Sequence, residues 1–343
     1  MKKYIPFFLL PALCMPATSC QDDDQEGDGI SIVKSETYFQ AAASKGYIVV
    51  SSAGGFTASS SESWCQVSCK ADSVLISVSD NASLEGRTAM VTISNTGGGS
   101  QMVPVSQAGG YFRTESDSVF RMDNGAQTFE YRLASSFDYE TSCGADWIIN
   151  ELTADGVMFS LTENTSGAPR YTKVSFSCAA LGKQFEADIY QYDTDNLLGN
   201  WTAEWTSKNG QKKEAAVSIV KDAADESILY IDGLQEGIRV PAKAYNHSIA
   251  IQTNAYAGTY NSSVAVYVNG ATASHIIHAK EQETAVRSYY CLPTAAGENM
   301  DYPFVADSTF TNGEAMAGFA LSAYLNDKNK GSINEFYNLK LKR

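Results

Sequence analysis

The chain has 343 residues and a formal charge of −14, with 25 Lys and Arg against 39 Asp and Glu. An acidic chain without a basic run does not suit nucleic-acid binding, which needs Lys and Arg on phosphates. The length suggests two or three domains.

In chain order, Lys2 and Lys3 precede the apolar run Ile5–Leu13. That run is too short for a membrane-spanning helix, which needs roughly 20 residues. It has the layout of a secretory signal peptide over residues 1–19. Ala17-Thr18-Ser19-Cys20 resembles a bacterial lipobox, with Ala17 in place of the usual leucine. The resemblance implies cleavage between Ser19 and Cys20 and fatty acylation of Cys20, palmitate included. Each acyl methylene contributes about 0.8 kcal/mol to membrane affinity, so two or three chains anchor almost permanently. Residues 20–29 then form a lipidated acidic tether, in which Gln21-Asp-Asp-Asp-Gln-Glu26 resembles the export signal of Bacteroidetes surface lipoproteins. The implied location is the cell envelope, as an outer-membrane lipoprotein at the cell surface, with the lipid as its membrane contact.

Once Cys14 leaves with the signal and Cys20 is acylated, Cys65, Cys69, Cys143, Cys178 and Cys291 remain. Cys65 and Cys69 are about 13 Å apart on an extended strand, too far to bridge. These cysteines read mainly as small buried apolar residues, with no disulfide required.

The chain repeats itself at an offset of 83 residues: Trp64 matches Trp147, Asn81 matches Asn164 and Arg87 matches Arg170. Val74, Ile76 and Val78 likewise answer Val157, Phe159 and Leu161, and after one extra residue Gln107 falls on Gln191. Period-two alternation with turn residues every 8–12 positions predicts antiparallel strands with one buried face. Asn95-Thr-Gly-Gly-Gly99 reads as a hairpin loop. The tryptophans read as core anchors, the asparagines as turn residues tolerant of left-handed backbone, and the arginines as rim cations. Each copy has the size of an immunoglobulin-like sandwich.

Trp64-Cys-Gln-Val, Asn81, Arg87-Thr-Ala-Met-Val-Thr-Ile93 and Val105-Ser-Gln-Ala-Gly109 together resemble a BACON domain, a Bacteroidetes-associated, often N-terminal module. Residues 30–110 carry the resemblance, and 111–193 form a divergent second copy that ends in Ile-Tyr-Gln-Tyr. The family implies a carbohydrate-binding or spacer role and transfers no particular sugar-binding residue.

After the polar linker Asp193–Asn196, residues 194–343 form a β-rich C-terminal domain. Strands are expected at Ala215–Lys221, Ser227–Asp232, Ile238–Ala244, Ser248–Gln252, Val264–Asn269, Ser274–Lys280, Val286–Cys291, Gly318–Leu325 and Glu335–Leu341. Such a series predicts an up-and-down barrel or a larger sandwich. Gly199-x-Trp201 resembles the opening of lipocalin-like barrels, which would turn Trp201 and Trp205 inward. The expected fold class is therefore all-β: two tandem immunoglobulin-like sandwiches followed by a larger antiparallel barrel or sandwich. Trp205, Tyr256, Tyr260, Tyr289, Tyr290 and Tyr302 are the candidate ligand-binding residues, since an exposed tyrosine offers a sugar both a ring face and a hydroxyl.

His275 and His278 point to opposite faces of a strand, so no metal site is expected. No nucleophile elbow, metalloprotease helix motif or phosphate loop occurs. No cofactor and no enzymatic activity are expected. The function expected is non-catalytic glycan binding or capture. The alternatives are an adhesive lipoprotein that binds neighbouring surface proteins and a carrier of a small apolar ligand.

Overall fold

The computed structural model describes residues 29–261, 263–277, 285–297, 299–306 and 309–343. The signal peptide, Ser19, Cys20 and the acidic run lie outside the described residues, as does His278. The chain divides into two compact units, the boundary falling between Gly110 and Tyr111.

The first unit is a sandwich of eight strands: β1 (Ile30–Glu36), β2 (Tyr38–Phe39), β3 (Ser44–Ser52), β4 (Phe56–Ser60), β5 (Cys65–Lys70), β6 (Ser73–Val78), β7 (Arg87–Asn95) and β8 (Ser100–Gln107). One sheet runs β1-β3-β6-β5 and the other β2-β8-β7-β4. Alternation along the strands supplies the core: Val74, Ile76 and Val78 of β6 face Ala89, Val91 and Ile93 of β7, all buried. The glycine loop joins β7 to β8, where Asn95 Oδ1 accepts the Gly99 N–H at 2.8 Å and Gly98 takes φ 92°.

The second unit opens with a sandwich of the same plan, built from β9 (Phe112–Thr114), β10 (Val119–Met122), β11 (Gln127–Ser135), β12 (Glu140–Cys143), β13 (Ile148–Thr153), β14 (Gly156–Leu161), β15 (Arg170–Cys178) and β16 (Lys183–Gln191). Its sheets are β10-β16-β15-β12 and β13-β14-β11-β9. Its core is more aromatic, with Tyr131 stacked on Phe176 at 4.3 Å and Phe159 edge-on to Phe176 at 6.1 Å.

The remainder is a closed eight-stranded antiparallel barrel. Its wall is β17 (Gly199–Thr206), β18 (Lys212–Lys221), β19 (Ile228–Gln235), β20 (Ile238–Tyr245), β21 (Ser248–Gln252), then beyond an excursion β25 (Ser288–Cys291), β27 (Asn299–Ala306) and β29 (Lys328–Lys342). The ring closes where the end of β29 pairs both β17 and β27. The excursions are β22 (Tyr256–Tyr260), β23 (Val264–Ala271), β24 (Ile276–Ile277), β26 (Thr294–Ala296) and β28 (Gly318–Leu325). Of these, β22-β23-β28 continue the sheet from the first half of β29.

Strands β22, β26 and β27 were not legible in the sequence. β22 carries Gly258 at φ 119° and a register shift, which break its alternation. The strand expected at Ser274–Lys280 is paired only at Ile276–Ile277 among the described residues. The expected linker is structured: Thr194–Leu197 form a 3-10 turn, with Asn196 and Leu197 buried. Among the described residues, the five cysteines are free. Cys65, Cys178 and Cys291 are buried and Cys143 is half-buried, whereas Cys69 is exposed rather than buried.

Candidate functional site

The repeated residues build the same clamp in each sandwich. Arg87 lies over the Trp64 ring at 4.4 Å, and its Nε donates to Gln107 Oε1 at 2.9 Å. Gln107 Nε2 in turn donates to the carbonyls of Ala41 and Ser79, both at 2.9 Å. In the second copy Arg170 covers Trp147 at 4.4 Å and donates to Gln191, which donates to the carbonyls of Gly125 and Thr162. Asn81 and Asn164 are buried, and each Nδ2 satisfies carbonyls of the following loop, Glu85 and Ala168 respectively. Neither adopts positive φ, so the asparagines serve as buried loop ties and not as left-handed turn residues. The arginines are more than rim cations: each shields one face of its tryptophan, which is then no sugar platform.

The near end of the barrel is closed against the second sandwich. Trp201 Nε1 donates to Leu197 O at 2.8 Å, and Tyr302 packs edge-on against the ring at 4.8 Å. Arg343 lies 4.2 Å from the Trp201 ring centroid, and its Nη2 donates to the carbonyls of Asn196 and Leu198. Across the joint, Asn196 Oδ1 accepts from Asn124 Nδ2 at 2.9 Å, and Thr194 Oγ1 donates to Ser248 O at 2.9 Å. Asp193 lies 3.3 Å from His247 Nδ1, and Tyr190 OH accepts from Ala295 N at 3.2 Å.

The barrel interior is filled. Trp201, Ala203 and Trp205 of β17 alternate inward and join Val217, Ile231, Val240, Ile251, Tyr289, Phe304, Phe319 and Phe336 in one buried cluster. Phe319 and Phe336 stack at 4.6 Å, and Trp205 packs against Phe336 at 5.2 Å. This arrangement disposes of several candidates. Tyr289 is 2% exposed and Tyr302 8%, so neither shows a ring face to solvent. Burial pushes the Tyr289 hydroxyl up to about 12. Trp205 is also 8% exposed, yet its Nε1 is a buried donor without a partner. Tyr290 is half-buried against Tyr245 at 5.2 Å on the outer wall.

Tyr256 and Tyr260 are the candidates left near solvent. Both lie on β22, where Tyr256 is 53% exposed and shares a hydrogen bond with Thr259 Oγ1 at 2.7 Å. Because the strands alternate in direction, the turns at 207–211 and 236–237 and the end of β22 at Tyr260 all fall at the rim opposite the joint. Two recesses open there. A polar cleft of about 440 Å³ is lined by Gln235, Glu236, Gly237, Thr259, Tyr260 and Asn261, between two hairpin tips. A larger groove of about 750 Å³ opens at this rim, with Trp205, Thr206, Lys212, Lys213, Asn338 and Lys340 among its lining residues. Glu204, also in that groove, is bridged by Lys340 at 3.2 Å and Lys342 at 2.5 Å. The two ammonium groups hold its carboxyl below the usual carboxylate range. Sequence reasoning missed this groove: its lysines come from β18 and β29, over a hundred residues apart, and meet only through barrel closure.

Among the described residues, no cluster of His, Cys, Asp and Glu is arranged to hold a metal, and no helix is long and apolar enough to cross a membrane. His275 Nε2 lies 3.2 Å from Glu314.

No curated protein matches the chain. Among solved structures, a tandem of titin immunoglobulin domains is 10% identical, covers 50% of this chain and 100% of its own, with a TM-score of 0.24. Another titin tandem is 9% identical over 82% of this chain and 96% of its own, with a TM-score of 0.33. An endo-fucoidan hydrolase of glycoside hydrolase family 107 is 11% identical over 50% of this chain and 29% of its own length, with a TM-score of 0.27. Scores this low carry no functional argument. Residues 46–108, which span most of the first sandwich, match the family model of BACON, whose description is "Putative binding domain, N-terminal".

Proposed function

We propose that this protein is a lipid-anchored lipoprotein of the outer-membrane surface that captures glycans without catalysis, using the barrel rim opposite the joint. The carrying observation is the cleft at that rim. It joins one half-buried tyrosine ring, Tyr260, to the amides of Gln235 and Asn261 and the carboxylate of Glu236. A ring face with amide and carboxylate partners is what a neutral sugar requires, since it stacks a C–H face and hydrogen-bonds its hydroxyls. The BACON match supports a binding role for the first sandwich without locating a ligand. An apolar-ligand carrier is disfavoured, because the barrel interior is occupied by its own side chains.

The test is a glycan array probed with the full chain and with Tyr260→Ala. Binding that weakens at least about tenfold in the variant supports the reading, because stacking on a ring contributes roughly 1–2 kcal/mol. An array that stays silent with the full chain sinks it. For the anchor, Cys20→Ala should abolish palmitate incorporation and release the protein from the envelope.

A further inference from the structure

In a chain of net charge −14, the outer face of the sheet β2-β8-β7-β4 carries no charged residue. Strand register puts Tyr38, Met90, Met102 and Pro104 on that face. The other outward positions of β4, β7 and β8 are all serine or threonine. Tyr38 is 65% exposed and Met102 62%, so apolar side chains stand in solvent there. Hydroxyls on the face already pair across the ladder, Thr88 Oγ1 with Ser106 Oγ at 3.4 Å and Ser94 Oγ with Ser100 Oγ at 3.2 Å. Covering them therefore strands few polar groups.

The matching sheet of the second sandwich is ionic. The repeat places Lys173 at the position of Met90, Glu186 at that of Met102 and Asp188 at that of Pro104. Lys173 bridges Glu186 at 2.7 Å, and Asp188 accepts from the Tyr171 hydroxyl at 2.8 Å. Two sheets of one plan thus present opposite surfaces.

We infer that the neutral face docks a second copy of this chain, sheet against sheet across a two-fold axis. Charge selects a copy as the occupant. Chains that each carry −14 repel one another, and they meet at least cost through a face with no charge on it. Symmetry selects the same residue types. A two-fold contact sets a surface against itself, which carboxylates or ammonium groups oppose. A hydroxyl is both donor and acceptor, so it meets another hydroxyl without conflict. Met90 lies directly opposite Pro104 on the ladder with Met102 beside them, an apolar centre that flexible thioethers can repack. Four strands spaced about 4.8 Å apart give less than the roughly 800 Å² per partner of a standard interface, so the dimer is weak and reversible.

The experiment is sedimentation equilibrium of the full chain in a density-matched detergent. The parent should show a monomer–dimer equilibrium that holds or tightens as salt is added, because salt screens the repulsion between two acidic chains. Met102→Glu and Met102→Lys should each weaken association at least about tenfold, since each sets like charges together in the contact. The exposed position puts folding at little risk, and thermal melts matching the parent verify this. An equimolar mixture of the two variants at low salt should recover association, because opposite charges then face each other. A chain that stays monomeric overturns the inference and leaves the face to another occupant. A dimer untouched by either variant, or one that salt dissociates, overturns it as well. So does a mixture that associates no better than each variant alone.

Discussion

The guanidinium of Arg170 lies 4.4 Å from the ring centroid of Trp147, the separation Arg87 keeps from Trp64 in the first sandwich. Two copies that share few other residues thus retain one polar construction. Its logic is buried-group satisfaction: Gln107 and Gln191 are buried, and the Oε1 of each would lose its arginine donor. Burial lowers both guanidinium pKa values below the ordinary one, yet an arginine there stays charged.

Replacing Arg87 or Arg170 with Ala should therefore cost about 2 kcal/mol, from the lost cation–π contact and an unsatisfied buried amide oxygen. Lysine should not rescue either site, since one ammonium cannot cover the ring and bond Gln and backbone carbonyls together. Urea denaturation followed by tryptophan fluorescence checks this. An unshifted transition in both alanine variants would contradict the clamp.

The joint offers a second prediction. Asn196 Oδ1 accepts from both Asn124 Nδ2 and the Asp193 backbone N–H, each at 2.9 Å. Asn196→Ala removes both bonds from a buried site, at a cost of about 1–3 kcal/mol. Limited proteolysis should then cut near residues 191–199 well before the parent is cut. Identical digestion rates would show that these bonds do not hold the joint.

At the near end of the barrel, Trp201→Ala should cost about 3–5 kcal/mol, as expected for a large buried aromatic. Arg343→Ala should cost less, because the guanidinium is exposed at its edge and only the ring contact and two carbonyl bonds are lost. Thermal melts that rank the two variants in the reverse order would refute this account of the closure.

Alkaline pH should unfold the second unit. Burial pushes the hydroxyls of Tyr192, Tyr289 and Tyr337 each up to about 12, and Glu335 adds to the effect at Tyr337. Their folded values lie above the unfolded value of about 10, so the unfolded chain releases protons first. Stability is then fully present below pH about 10 and falls as pH rises towards 12. Tyr289→Phe should flatten part of that decline in melts recorded across the range.

Thiol accessibility supplies a fifth check. Cys69 should react with Ellman's reagent at once and Cys143 more slowly, whereas Cys65, Cys178 and Cys291 should need denaturant. Burial also pushes the Cys291 thiol upward, which suppresses its thiolate at neutral pH. Rapid reaction of all five would be incompatible with the packing described.

Much of the architecture was legible from residue order alone. Alternation such as Val74, Ile76 and Val78 is local information, because a strand's two faces are set by neighbours two positions apart. The 83-residue repeat and the inward set Trp201, Ala203 and Trp205 follow from the same rule. What alternation cannot report is which strands meet. Barrel closure brings Lys212 and Lys213 of β18 to Lys340 and Lys342 of β29, and makes a basic groove in an acidic chain. The same closure buries Tyr289 and Tyr302 and leaves Tyr260 at the rim, although all three sit in similar local sequence. Whether a tyrosine faces solvent or core depends on long-range pairing, and that was decided only when the tertiary structure formed.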